Sequence, residues 1–164
     1  YAAASSLKAA GVGESAELWI WPSIATKSLE TATLLARALD VRHQNVVPEF
    51  SFLDPRGLGA LEGLNPVALG QQLREIDSKL QAPQPAEDGT PNESVEDVFV
   101  RVRQLLSKLE TQYFGADIVL VAADSDPLSV LECALTNRPL HSIHDYDYLP
   151  GEYRMPQPAI VAQG

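Results

Sequence analysis

The residue types able to carry nucleophilic, acid–base or metal chemistry are few in this sequence: one cysteine, Cys133, and three histidines, His43, His141 and His144. The lone thiol excludes an internal disulfide, and its place in the apolar helical stretch LSVLECAL marks it as a packing residue. His43 follows a helix end, where an imidazolium complements the helix dipole, and His141 with His144 in a loop or strand makes no metal-ligand pair. All three read as structural or exposed. The acids Asp124, Asp126 and Glu132 lie closer together. They admit a cation site, but hard cations need more oxygen ligands than these supply, whereas DSDP is a common strand-to-helix turn in which Asp126 caps a helix begun by Pro127. The cap is the favoured reading, and neither a metal nor another cofactor is expected.

The elements that must position these residues follow from hydrophobic periodicity. Residues 1–10 are Ala-rich and read as the tail of a helix, ended by Gly11 and Gly13. ELWIWPS at 17–23 reads as a strand, with Pro22 closing its ladder. Ser28 to Leu39 carries apolar residues at Leu29, Ala32, Leu35, Ala36 and Leu39, the spacing of a one-faced helix. NVVPEFSFL at 45–53 is a short strand broken at Pro48, followed by the glycine-rich turn PRGLGALEG and a helix over 66–80. Residues 81–92 hold three prolines and no apolar anchor, which predicts an exposed, mobile loop. Ser94 with Asp97 forms a capping box for a helix whose buried face is Val95, Val98, Val102, Leu105, Leu106 and Leu109, ending near Gly115. IVLVAA at 118–123 is continuously apolar, the mark of a strand buried on both faces, and a helix spans 127–136. The Pro- and Tyr-rich tail, 138–164, holds a last strand between His141 and Arg154. Strands alternating with helices imply a single α/β domain over 1–164, a three-layer α/β/α sandwich with a mainly parallel sheet and ligands beyond the strands' carboxyl ends.

Composition fits one soluble globular domain, with 45% hydrophobic and 21% charged residues. Twenty-two acidic against twelve basic residues give a net charge of -10, a field that opposes nucleic acid and anionic lipid and admits phosphorylated ligands only beside a local basic cluster. No apolar run approaches the roughly 20 residues of a membrane span. The opening Tyr1 and the immediate helical pattern imply a chain whose start lies upstream.

Three stretches, PSIATKSLETATLLARAL, FLDPRGLGALEG, and ESVEDVFVRVRQLL followed by IVLVAADSDPLSVLECAL, together resemble the histidine phosphatase (phosphoglycerate-mutase-like) superfamily over most of residues 20–136. FLDPRGLGALEG with DGTPNESVEDVFVRV is similar in wording to phosphoglycerate-mutase-like proteins of plant and algal chloroplasts, which implies a plastid location. The resemblance implies a first strand ending in Arg-His-Gly, whose His takes the phosphoryl group. That tripeptide is absent here, and the family's order leaves a gap between ELWIW and IVLVAA for an upstream segment or a partner to fill.

By the same resemblance Lys27 stands where the family has a phosphate-binding Arg, keeping charge but losing the bidentate fork, and the plain alternative is a lysine on a solvated helical turn. Pro55 stands where many members carry the Glu that protonates the leaving oxygen, and Arg56 matches an Arg of the mutase-like subset. Asp54 is adjacent, but on an extended stretch it points away from the face of position 55. The family's Ser-His-Gly reads Ala123-Asp124-Ser125, so Asp124 replaces the second pocket His and opposes a phosphoryl group by several kcal/mol. The reading is a catalytically degenerate domain, with no catalytic residue and vestigial pocket positions Lys27, Pro55, Arg56 and Asp124, acting as a scaffold or binding subunit for a protein partner or larger assembly. The alternative is an active phosphatase or mutase on a small phosphorylated metabolite, with Arg-His-Gly upstream of Tyr1. A cation-dependent hydrolase built on Asp124 and Asp126 has only two carboxylates behind it.

Overall fold

Helix boundaries in this computed structural model, which describes residues 2–157, fall where local chemistry puts them. Helix α1, Ala2–Ala9, gives way to Gly11 with φ +79°, a conformation that costs a glycine nothing. Tyr1 lies outside the described residues. Helix α2, Thr26–Leu39, ends on a left-handed Asp40, and α3, Pro66–Ser78, starts from Asn65, whose Oδ1 accepts the Ala68 N–H at 3.0 Å. The capping box of α4, Val95–Gln112, is complete: Ser94 Oγ accepts the Asp97 N–H at 3.1 Å and Asp97 Oδ2 accepts the Ser94 N–H at 2.8 Å. The last helix is α5, Ser125–Thr136.

Two strands, β1 (Leu18–Pro22) and β2 (Asp117–Val121), pair in parallel with Leu18 opposite Asp117 and Pro22 opposite Val121. Strand side chains alternate between faces, and each face is covered by helices. Trp19, Trp21, Ile118 and Leu120 meet Leu105 and Leu109 of α4 on one side, while α2 packs on β1 from the other and α1 packs on α2. This is the expected α/β architecture with a small parallel sheet. A second cluster joins Val95, Val98 and Val102 of α4 to Val130, Leu131 and Cys133 of α5 and to Ile143. Cys133 is 1% exposed, the packing thiol the sequence implied.

Five expectations need correction. Residues 45–53 form no strand: a 3-10 turn at His43–Asn45 leads to two isolated parallel bridges, Ile20 to Val46 and Ser23 to Glu49, because Pro22 of β1 has no N–H to complete the rung between the Val47-to-Ile20 and Glu49-to-Pro22 bonds. No strand lies between His141 and Arg154; the stretch Leu140–Tyr146 is 3-10 helix that drives Ile143 into the core. Residues 158–164 of that tail lie outside the described residues. No gap separates the two apolar strands, since β1 and β2 pair directly. Their register points the peptide groups of Ile118 and Leu120 away from β1, so the unpaired edge among the described residues is the outer side of β2, and β2 is half-buried where burial on both faces was expected. Residues 81–92 are a mostly exposed loop, but an anchored one: Pro83 is fully buried, its carbonyl accepts from Asn92 Nδ2 at 2.9 Å, and Gly59 and Ala60 donate to the carbonyls of Pro91 and Gln84.

Candidate functional site

Parallel sheets place their ligand crevice beyond the strands' carboxyl ends, and here that end of β2 runs through Ala122 and Ala123 into Asp124 and the first turn of α5. A cavity of about 600 Å³ opens there. Lys27 and Thr31 of α2 line one wall, Asp124 and Ser125 the floor, and Tyr148 with the following turn the other wall. Lys27 Nζ donates to Asp124 Oδ1 at 3.4 Å, with both side chains about half exposed or more, at 67% and 48%. An exposed pair of this kind contributes at most about 1 kcal/mol, yet it places a carboxylate against the only cation lining that cavity among the described residues. Ser125 Oγ accepts the Tyr148 N–H at 2.7 Å and shares a hydrogen bond with Ser129, which in turn donates to the Tyr146 carbonyl. These bonds tie the far wall to α5.

Arg56 does not join Lys27. Its side chain is 2% exposed and holds Asp77 with two bonds, Nη2 to Oδ1 at 2.7 Å and Nη1 to Oδ2 at 2.9 Å, while Nε donates to the Glu93 carbonyl. Asp77 also accepts from His144 Nε2 at 2.8 Å. Asp126 lies 3.5 Å from Arg56. It therefore faces this cluster and not the helix end: Asp124 occupies the cap position and makes no capping bond, which corrects the expectation that Asp126 caps α5. Burial pushes the Asp126 carboxyl above its ordinary range against the pull of Arg56 and His144. Burial also pushes Asp77 up, but the bonds from His144 and Arg56 outweigh it and hold the carboxyl below the usual range. The bond to Asp77 raises His144, against burial.

Pro55 is exposed and Asp54 half-buried, and Asp54 ends a turn over residues 51–54 where an extended stretch was expected. Burial is the largest influence on Asp54 and raises it, with Arg101 opposing. Neither residue lines the cavity. Of the four pocket positions read from the sequence, the structure thus brings Lys27 and Asp124 together, buries Arg56 behind them, and leaves Pro55 apart. Sequence reasoning missed Asp77 as Arg56's partner. One signal was available: Asp77 falls four residues after Leu73 on the buried stripe of α3, where an unpaired carboxylate is untenable. His43 and His141 are exposed, as read. Among the described residues no group of three His, Cys, Asp or Glu side chains is arranged to hold a metal ion, and no helix is long and apolar enough to cross a membrane.

The profile of the Histidine phosphatase superfamily (branch 1) matches residues 3–153. Solved structures with the same fold include mycobacterial glucosyl-3-phosphoglycerate phosphatase, 24% identical with a TM-score of 0.62 over 87% of this chain and 67% of that one. Bacillus stearothermophilus YhfR is 20% identical with a TM-score of 0.65 over 99% and 78%. The alpha-ribazole phosphatase of Shigella flexneri is 19% identical with a TM-score of 0.61 over 91% and 71%. No curated protein sequence matches this chain.

Proposed function

This chain belongs to the histidine phosphatase superfamily, branch 1, and within it we propose a catalytically degenerate member that serves as a scaffold or binding subunit. The observation that carries the reading is the pairing of both basic pocket positions with acids. Lys27 meets Asp124 and Arg56 is enclosed by Asp77 and Asp126, so each cation that would neutralise a transferring phosphoryl group already has a carboxylate partner. None of the three histidines lines the cavity. A nucleophile of the family type is therefore missing from the crevice that the described residues form. The binding half of the reading is supported by the outer edge of β2, where outward-facing peptide groups run beside a cavity of about 370 Å³ lined by Leu7, Leu106, Leu109, Leu128, Leu131 and Leu135. An apolar extended segment of a protein partner would satisfy both the ladder and the leucines. A plastid location belongs to the same proposal and is carried by the wording of FLDPRGLGALEG.

The test is titration of inorganic phosphate into the chain, followed by backbone amide shifts at Lys27, Asp124 and Ser125. The reading expects shifts that grow linearly without saturating, and saturable binding in the Asp124→Asn variant, where the carboxylate is removed. Saturable binding by the unmodified chain, lost in Lys27→Ala, would mean that the pocket still recognises phosphate.

A further inference from the structure

Helix α3, which the turns of residues 59–92 flank, packs mainly on the Leu140–Tyr146 segment. At that contact lies Asp77, 0% exposed, with His144 on one side and Arg56 on the other. Leu73 and Asp77 are the buried members of α3, while Val67 is 72% exposed. A contact that includes a buried carboxylate depends on the charge of the groups that face it. Arg56 stays charged at every accessible pH. His144 does not, because imidazole is the side chain that titrates near neutrality.

We propose that the His144–Asp77 contact is a pH-sensitive latch that holds α3, and with it residues 59–92, against the Leu140–Tyr146 segment. As an imidazolium, His144 donates to Asp77 from Nε2 at 2.8 Å and turns Nδ1 toward Asp147 at 3.7 Å. The acids that act on it are Asp77 from α3, Asp126 from α5 and Asp147 from the turn after Tyr146, with Arg56 from the 53–58 loop as the second cation; α4, which also packs on the segment, supplies none. Losing the imidazolium leaves three carboxylates around one guanidinium, removes the attraction to Asp147 and weakens the bond to Asp77. The rest of the segment keeps its hold on α5, since Arg154 Nη1 donates to Glu132 Oε2 and to the Tyr146 carbonyl, both at 2.9 Å, and Ile143 stays in the core. Opening is therefore confined to α3 and its turns.

The sign follows from linkage. His144 is raised in the folded chain by its bond to Asp77, so its contribution is full below the unfolded imidazole value of about 6.5 and is lost as pH rises through the higher folded value. Asp126, raised by burial, acts in the same direction, because its ionisation is easier in the unfolded chain.

The experiment is an NMR titration of the whole chain from about pH 5.5 to about pH 8.5, which brackets imidazole ionisation, reading the three histidine rings and amide protection corrected for intrinsic exchange. The latch predicts that protection in α3 falls about threefold or more with the midpoint of His144, while α4 is unchanged. In His144→Gln, whose amide still donates but does not titrate, the fall in α3 protection at the His144 midpoint is lost. In Asp147→Asn the His144 midpoint and the α3 midpoint fall together. Flat α3 protection in the unmodified chain, an unchanged response in His144→Gln, or a midpoint that tracks His43 or His141 would overturn the proposal. Should His144→Gln fail to fold, the matching of midpoints in the unmodified chain and in Asp147→Asn decides it.

Discussion

Two ion pairs flank the first turn of α5 and have opposite characters. Lys27 and Asp124 meet in solvent at 3.4 Å through one contact, whereas Arg56 and Asp77 meet out of water through a bidentate fork completed by His144. The first pair governs what the crevice attracts and adds little stability, because water screens it. The second is costly to break, because losing one partner strands a buried charge, and it lends nothing to the crevice, because its charges are occupied by one another. Arg56, although a cation near the crevice, does not line it.

The largest effect expected from breaking this contrast is at Arg56. Arg56→Ala leaves Asp77 buried with half its partners and should cost about 3–5 kcal/mol, read as a lowered denaturant midpoint; a loss under about 1 kcal/mol, the range of exposed pairs, would make the two pairs alike. Next comes Gly59, which has φ +54° and whose added Cβ would collide with the Gln84 carbonyl and Asn92. Gly59→Ala should cost about 1–3 kcal/mol and loosen the turns that flank α3 without altering the crevice. Acid sharpens the contrast further. Asp77 is held below the usual carboxylate range by His144 and Arg56, so its contribution is present above the unfolded value of about 3.9 and is lost as pH falls through the lower folded value. Acid unfolding should therefore be less steep in Asp77→Asn than in the unmodified chain. The smallest effect is at Lys27→Ala, with a change below about 1 kcal/mol and an acid unfolding curve that overlays the unmodified one.

What could be read in the sequence was local. The Ser94–Asp97 capping box, the buried face of α4 and the two apolar strands are encoded within a few residues of themselves, and each lies where periodicity placed it. The strand expected between His141 and Arg154 has no periodic pattern behind it, and in the folded chain residues 140–146 form a 3-10 helix that carries Ile143 into the α4–α5 core. The 81–92 loop looked unanchored since a buried proline gives no periodic signal. At the site, the family resemblance singles out Lys27, Arg56 and Asp124 but is silent on their partners. Arg56 reaches Asp77 across 21 residues and Asp77 reaches His144 across 67, contacts set by tertiary packing alone.

The decisive measurement is turnover of an activated aryl phosphate by the purified chain. With Lys27 paired to Asp124, Arg56 enclosed by Asp77 and Asp126, and none of the histidines in the crevice, no hydrolysis above the uncatalysed rate is expected, for the unmodified chain and for Asp124→His alike, since a pocket histidine without an oriented nucleophile opens no covalent route. Clear turnover by the unmodified chain that disappears in Lys27→Ala would contradict that expectation.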